Sequence, residues 1–329
     1  MDKVSWGFIG CGDVTEVKSG PAFNKIKDSS VVAVMRRDGQ KARDYADRHT
    51  ISKWYDDVDK LINDPEVNAV YIATPPNVHL EYTIKCAAAG KPVYVEKPMA
   101  VNYAEAKKMV EVCKEAQVPL FVALYRRRLP RFLKVKELVD AGVIGEIRAV
   151  NLALYFAPNP EDYYRDNLPW RVLPDIAGGG YFFDLAPHQL DILDYILGPI
   201  IKAKGIAANQ AGLYPAEDIV SASYRFESGA LGTGIWCFTA SAEERIDRIE
   251  IIGSKGNIRF SAFETTPIEL IVNNEMQSFP EPTPMHVQQP LIQTVVDELL
   301  GRGKCPSSGE SALRTVRVME EIVFGVVEK

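Results

Sequence analysis

The apolar positions in the first third of the chain come in short runs separated by amphipathic stretches. Val4-Ser5-Trp6-Gly7-Phe8-Ile9, Val31-Val32-Ala33-Val34, Ala69-Val70-Tyr71-Ile72-Ala73, Pro92-Val93-Tyr94-Val95 and Leu120-Phe121-Val122-Ala123 are nearly continuous in apolar character. Strands buried on both faces of a parallel sheet have that pattern. Between them, Gln40 to His49, Leu80 to Ala89 and Tyr103 to Ala116 read as helices, the second stopped by Gly90. Repeated βα alternation predicts an open parallel sheet with helices on both faces, an α/β doubly wound unit over residues 1–124.

After about residue 125 the pattern changes. A helix is predicted over Phe132 to Ala141, ended by Gly142. Segments of antiparallel character follow at Ile147 to Phe156, Ile219 to Phe226, Leu231 to Phe238, Arg248 to Gly253 and Asn257 to Phe260. Ser228-Gly229 and Ser254-Lys255-Gly256 read as hairpin turns between them. Helices are predicted again at Pro290 to Leu300 and Ser311 to Val327. The second part, 125–329, is therefore expected to be α+β, a sheet packed on helices.

Composition narrows the classes. A length of 329 residues suits about two domains. Hydrophobic residues at 47% and charged residues at 25% are ordinary for a globular enzyme. A formal charge of -6 argues against nucleic acid as a partner. No apolar run reaches the roughly 18 residues of a membrane-spanning helix, and Met1-Asp2-Lys3 leads directly into a strand, so a cytoplasmic protein is expected. The five cysteines are scattered with no C-x-x-C pair. Neither a metal site nor a disulfide framework is indicated, and buried reduced thiols are expected.

Candidate chemistry begins at the first strand. Ile9 is followed by Gly10-Cys11-Gly12-Asp13-Val14, and strand, Gly-x-Gly and helix in that order bring backbone N–H groups up to a dinucleotide pyrophosphate. Thr15 occupies the position of the third glycine. The second strand ends Val34-Met35-Arg36-Arg37-Asp38. Arginine stands where an acidic residue would meet the ribose of NAD, and two guanidinium groups there suit the 2′-phosphate of NADP. NADP(H) is expected over NAD(H), with Arg36, Arg37 and Lys41 as candidate ligands. A solvated basic turn is the alternative.

Three further motifs lie where ligands bind. Ala73-Thr74-Pro75-Pro76-Asn77-Val78-His79 follows a strand at the carboxyl edge of the sheet, and a proline turn with Asn77 capping the next helix is compatible with a cofactor role. Glu96-Lys97-Pro98 puts a lysine at a strand end before a proline, a position that favours extended geometry and aims the cation over the cofactor cleft. There it can polarise a substrate oxygen; a salt-bridged loop lysine is the alternative. In Gly178-Gly179-Gly180 to Asp191, Asp184 and His188 are four apart and share a helical face, with Asp191 three further on. Pro187 either kinks that helix or starts a new one. A histidine beside carboxylates can shuttle a proton near neutral pH; a core histidine is the alternative.

Together these motifs resemble the glucose–fructose oxidoreductase / inositol dehydrogenase / MocA family. Asp140-Ala141-Gly142-Val143-Ile144-Gly145-Glu146, Trp170-Arg171 and Ser308-Gly309-Glu310 extend the resemblance over nearly the whole chain. It implies a Rossmann domain followed by an α+β domain with an open, mostly antiparallel sheet, often the face of a homodimer or homotetramer. It implies hydride transfer between nicotinamide and a small sugar, keto-sugar or polyol. Lys97 would polarise the substrate oxygen, His188 would serve as acid/base, and Asp184 would bind substrate or orient the histidine. Glu96, Trp170 and Arg171 would join the cofactor-binding set. A glycosidase that retains its NAD, and a non-catalytic NADP sensor, are the rival readings. Tyr163 and Tyr164 suit stacking on a sugar face or packing of a loop or subunit.

Overall fold

The computed structural model describes residues 1–325. They form two compact units, Met1–Tyr125 with Pro284–Leu313, and Arg126–Thr283 with the segment from Arg314 onward.

The first unit is built on six parallel strands: β1 (Val4–Ile9), β2 (Ser29–Met35), β3 (Lys53–Tyr55), β4 (Ala69–Ile72), β5 (Val93–Val95) and β6 (Leu120–Val122). Their order is β3-β2-β1-β4-β5-β6, the doubly wound arrangement whose switch point lies between β1 and β4. Phe8 sits opposite Val34 on one side and Tyr71 on the other. The short Gly20–Lys25 helix drives Phe23 onto this sheet, with its ring centroid 4.8 Å from Phe8, 5.0 Å from Trp6 and 5.1 Å from Tyr71. Tyr71 stacks on Tyr94 at 5.2 Å. Apolar burial in this aromatic layer is the main force holding the unit together.

Two sequence expectations are corrected here. The second domain does not run unbroken from 125 to 329: the Gln289–Leu299 helix places Leu291, Ile292, Val295 and Val296 in the same core as Trp6, Phe8 and Phe23. Its apolar stripe finds its partner in the first sheet, and the chain returns there to bury it. The glycine turn also does not open one regular helix. A π-turn covers Val14–Lys18, breaks at Ser19, and only then does the Gly20–Lys25 helix begin.

The second unit holds an eight-stranded sheet of β7 (Ile147–Tyr155), β8 (Ile200–Ala208), β9 (Ile219–Phe226), β10 (Leu231–Cys237), β11 (Ile246–Gly253), β12 (Gly256–Phe260), β13 (Ile268–Val272) and β14 (Glu275–Phe279). The order is β14-β13-β12-β11-β7-β10-β9-β8. Among the described residues of this sheet, only β7 and β10 pair in parallel. The burial of β9 alternates strictly, with Val220, Ala222, Tyr224 and Phe226 inward and Ser221, Ser223 and Arg225 outward, as a sheet covered on one face requires. The Tyr181–Leu197 helix packs onto the covered face, with Phe182 5.0 Å from Trp236. The helix predicted to reach Val327 runs Gly309–Phe324; Val326 and Val327 lie outside the described residues. No helix among the described residues is long and apolar enough to cross a membrane.

Candidate functional site

In the first unit the candidate cofactor residues gather at the carboxyl ends of β1, β2, β4 and β5. Gly10 has φ +87, and a Cβ there would lie 2.8 Å from Thr74 Cγ2, so the turn and the loop after β4 touch only because the residue is glycine. A Cβ on Gly12 would meet nothing within 4 Å, which leaves open space above the turn. Thr74 Oγ1 is buried beside this turn with no hydrogen-bond partner. An open glycine cradle next to an unsatisfied hydroxyl fits a dinucleotide that brings its own acceptors. Ile9 and Cys11 are buried; Asp13 is exposed and Val14 partly so. Burial pushes the Cys11 thiol up to about 11, so it is an inert part of the wall.

Thr15 takes a structural part. Its hydroxyl donates to Gly12 O at 2.7 Å, and its own carbonyl accepts from Tyr45 OH at 3.0 Å. The close approach expected at the third glycine occurs at Gly20 instead, where a Cβ would lie 2.0 Å from Thr15 O. The π-turn carries the threonine past the sheet, and Gly20 supplies the backbone contact.

Arg36 follows β2 directly and donates from Nη1 to Cys11 O at 3.1 Å, which ties the basic turn to the glycine turn. Arg37 is exposed. Among the described residues neither is in an ion pair, whereas Asp38 caps the following helix through Lys41 N at 3.2 Å and sits 3.6 Å from Lys41 Nζ. The acid nearest the expected ribose position is thus occupied with capping, and its carboxyl is held below the usual range by the Lys41 N–H first of all.

The loop after β4 departs from expectation. Asn77 is not a helix cap: it lies inside a 3₁₀ turn over Pro76–Val78, and Val78 is the N-cap of the His79–Ala88 helix. His79 is fully buried, with Nε2 2.8 Å from Thr74 O and Nδ1 3.1 Å from Met99 O. Each ring nitrogen faces a backbone carbonyl, and the neutral imidazole donates to one of them at a time, so this histidine is turned to the Thr74 loop and the Lys97-Pro98-Met99 turn rather than to a ligand. Burial pulls its pKa below the ordinary value, against the pull of those carbonyls.

Lys97 is partly exposed after β5, and the Lys97–Pro98 bond is cis. Glu96 before it is buried. Its Oε1 accepts from Tyr71 OH at 2.6 Å and from Gln288 Nε2 at 2.7 Å, and its Oε2 accepts from Lys97 N at 3.2 Å. Tyr71 OH lies 3.0 Å from Ser19 Oγ, so the network continues to the end of the π-turn. Sequence reasoning missed Tyr71 and Gln288. A tyrosine in an apolar run reads as core, and nothing near Gln288 marks it.

In the second unit a cavity of about 300 Å³ is lined by Phe156, Asn159, Glu161, Arg171, Tyr181 and Asp184 among others. Arg171 Nε is 3.3 Å from Asp184 Oδ2, and its guanidinium stacks 4.6 Å over the Trp170 ring. Pro187 lies within the continuous Tyr181–Leu197 helix and does not start a new one. Asp184 and His188 are therefore one turn apart on it. His188 is 5% exposed and its ring centroid is 5.9 Å from Phe263. The same helix is pinned by Trp236 Nε1 on Gln189 at 2.7 Å and by a buried pair of Arg127 Nε with Asp191 at 2.9 Å, joined by Thr315 at 3.0 Å. Asp191 is thus engaged structurally. The triple glycine makes room for this helix start: a Cβ on Gly179 would lie 2.2 Å from the Phe183 ring, and Gly180 N donates to Glu217 Oε1 at 2.9 Å. Tyr163 and Tyr164 are exposed.

Residues 4–124 match the oxidoreductase family with an NAD-binding Rossmann fold, GFO_IDH_MocA, and residues 132–259 match the C-terminal domain of that family. Oxidoreductase P35 of Formosa agariphila is 40% identical over 97% of this chain and 98% of its own length. The myo-inositol 2-dehydrogenase of Thermotoga maritima is 33% identical over 77% of this chain and 73% of its own. A solved levoglucosan dehydrogenase, in complex with NADH and levoglucosan, superposes with TM-score 0.87 at 21% identity, covering 97% of this chain and 96% of that one. With a parallel sheet in the 3-2-1-4-5-6 order, an open glycine cradle and a family match across both units, the chain belongs to the GFO_IDH_MocA oxidoreductase family.

Proposed function

We infer that the protein is an NADP(H)-dependent dehydrogenase or reductase of a small sugar, keto-sugar or polyol. The observation that carries this reading is Lys97, which follows β5 at the same carboxyl edge of the sheet where the open glycine turn follows β1. Bound nicotinamide supplies the hydride acceptor or donor. Gly10 to Val14, with Ala73, Thr74 and Pro75, form the bed for the dinucleotide, and Arg36 and Arg37 meet a 2′-phosphate. Lys97 polarises the substrate oxygen, and His188 takes the hydroxyl proton on oxidation or returns it on reduction. Asp184 and Arg171 line the substrate-side cavity, where paired charges and aromatic walls suit a polyhydroxylated ring. Oligomerisation through the second sheet is supported by exposed Ile206 and Leu231 on its strands. A cytoplasmic location agrees with the free cysteines.

The test is a fluorescence titration with NADPH and NADH, followed by turnover on a panel that includes myo-inositol, levoglucosan and keto-sugars. NADPH is expected to bind at least tenfold tighter, a difference of about 1.4 kcal/mol. Lys97→Met and His188→Ala are expected to lose about 10²-fold or more in kcat. Tighter NADH binding would overturn the arginine argument, and intact turnover in both variants would overturn the residue roles.

A further inference from the structure

Gln288 stands just before the helix that completes the first unit's core and is 1% exposed. Its amide nitrogen faces the Glu96 carboxylate at 2.7 Å, and its amide oxygen accepts from Tyr94 OH at 3.1 Å. An ionised carboxylate only accepts, so the amide can satisfy both neighbours in one orientation alone. Tyr71 OH, Gln288 Nε2 and Lys97 N converge on Glu96, so three donors hold this buried carboxylate in place. Lys97 is the next residue, and its own N–H is among those donors. On the far side of Lys97, His79 Nδ1 lies 3.1 Å from Met99 O. The lysine backbone is clamped before and after.

The geometry points to Gln288 as a positioning residue for Lys97, acting through Glu96 and oriented by Tyr94. This rests on the reading of Lys97 as the group that polarises substrate. A residue of the segment Pro284–Leu313 thereby controls the placement of a side chain distant in the chain, a sufficient reason for that segment to pack here. Loss of the Gln288 donor leaves Glu96 Oε1 held by Tyr71 OH alone and loosens the carboxylate, and a displacement near 1 Å at a reacting group costs about 10²-fold in rate.

Two readouts test this. In the cofactor-free protein with reductively ¹³C-methylated lysines, the Lys97 signal, identified by its loss in Lys97→Arg, is expected to shift in Gln288→Leu. In Gln288→Glu it is expected to return toward the wild-type position at acid pH. There the protonated carboxyl donates to Glu96 as the amide did. It departs again as pH rises and two carboxylates face each other. An unmoved signal in Gln288→Leu overturns the proposal, as does a pH-independent one in Gln288→Glu, which also serves if the leucine variant does not fold. In kinetics on the best substrate of the panel, Gln288→Leu is expected to lose roughly ten- to hundredfold in kcat with little change in NADPH affinity. If Lys97→Met is inactive while Gln288→Leu keeps full kcat, the positioning role alone fails. If Lys97→Met is itself fully active, the functional reading fails first.

Discussion

Arg171 Nε lies 3.3 Å from Asp184 Oδ2 in the wall of the second unit's cavity, and the arginine is about half exposed while the aspartate is largely covered. The pair leaves the cavity with a carboxylate whose charge is already balanced. Arg171→Met is expected to raise KM for a neutral polyol about tenfold and to move stability by no more than about 1 kcal/mol, because an ion pair with one exposed partner contributes little to folding. Steady-state kinetics beside thermal melting checks both numbers. A large stability loss with KM unchanged would make the pair structural.

The basic turn after β2 gives a second prediction. Arg37 is exposed and Arg36 is bonded to the glycine turn through Cys11 O. Arg37→Ala is expected to weaken NADPH about tenfold or more and to leave NADH affinity nearly unchanged, since in the proposed site the guanidinium serves the 2′-phosphate alone. Equal losses for both cofactors in the same titration would assign the arginine to general electrostatics.

Gly10→Ala adds a methyl group 2.8 Å from Thr74 Cγ2 on a backbone with φ +87. The strain alone costs about 1 kcal/mol or more, and the clash moves the loop after β4. A rise in NADPH Kd is expected. Thr74→Ser removes the clashing methyl, so the double variant recovers part of the affinity. Failure of that rescue in calorimetric titration would show that the φ angle or the Ala73 backbone, whose C and O lie 3.0 Å from the added Cβ, decides the outcome.

His79 links stability to pH. Burial holds its pKa below the ordinary 6.5, so the unfolded chain takes up the proton at a higher pH than the folded protein does. Stability is therefore complete above about pH 6.5 and declines as pH falls from there toward the folded pKa. His79→Gln, which keeps a donor for one carbonyl, is expected to flatten the dependence of the urea midpoint between pH 7 and 5. An unchanged slope would place the titrating group elsewhere.

Arg127 and Asp191 are both almost fully buried. Arg127→Met strands the carboxylate and is expected to cost about 3–5 kcal/mol in urea unfolding. Arg127→Met combined with Asp191→Leu is expected to recover part of that loss, because neither charge of the pair is then left buried without its partner.

The sequence made the strands of the first sheet legible where burial on both faces produced unbroken apolar runs, as at β1, β4 and β5. It did not reveal β3, a three-residue strand whose Trp54 faces solvent, or β8, where Lys202 and Lys204 interrupt the apolar pattern. The Gly10 turn was legible because its geometry depends on local order along the chain. Gln288 was not, because its meaning comes from a carboxylate almost two hundred residues away. His79 shows the converse: it belonged to a ligand-edge motif, yet both its ring nitrogens face backbone carbonyls. Spacing alone cannot tell a ligand-facing imidazole from one that ties loops.

The return of Pro284–Leu313 to the first unit also bears on the order of events at the ribosome. Leu291, Ile292, Val295 and Val296 are part of the core that surrounds Trp6 and Phe8, and they emerge near the end of synthesis. The nucleotide-binding half therefore cannot close its interior while the second half is being made. It must wait, incompletely packed, for almost the entire chain. A fragment ending at Tyr125 would lack that closing helix, so the unit that is first in sequence is among the last to be finished in space.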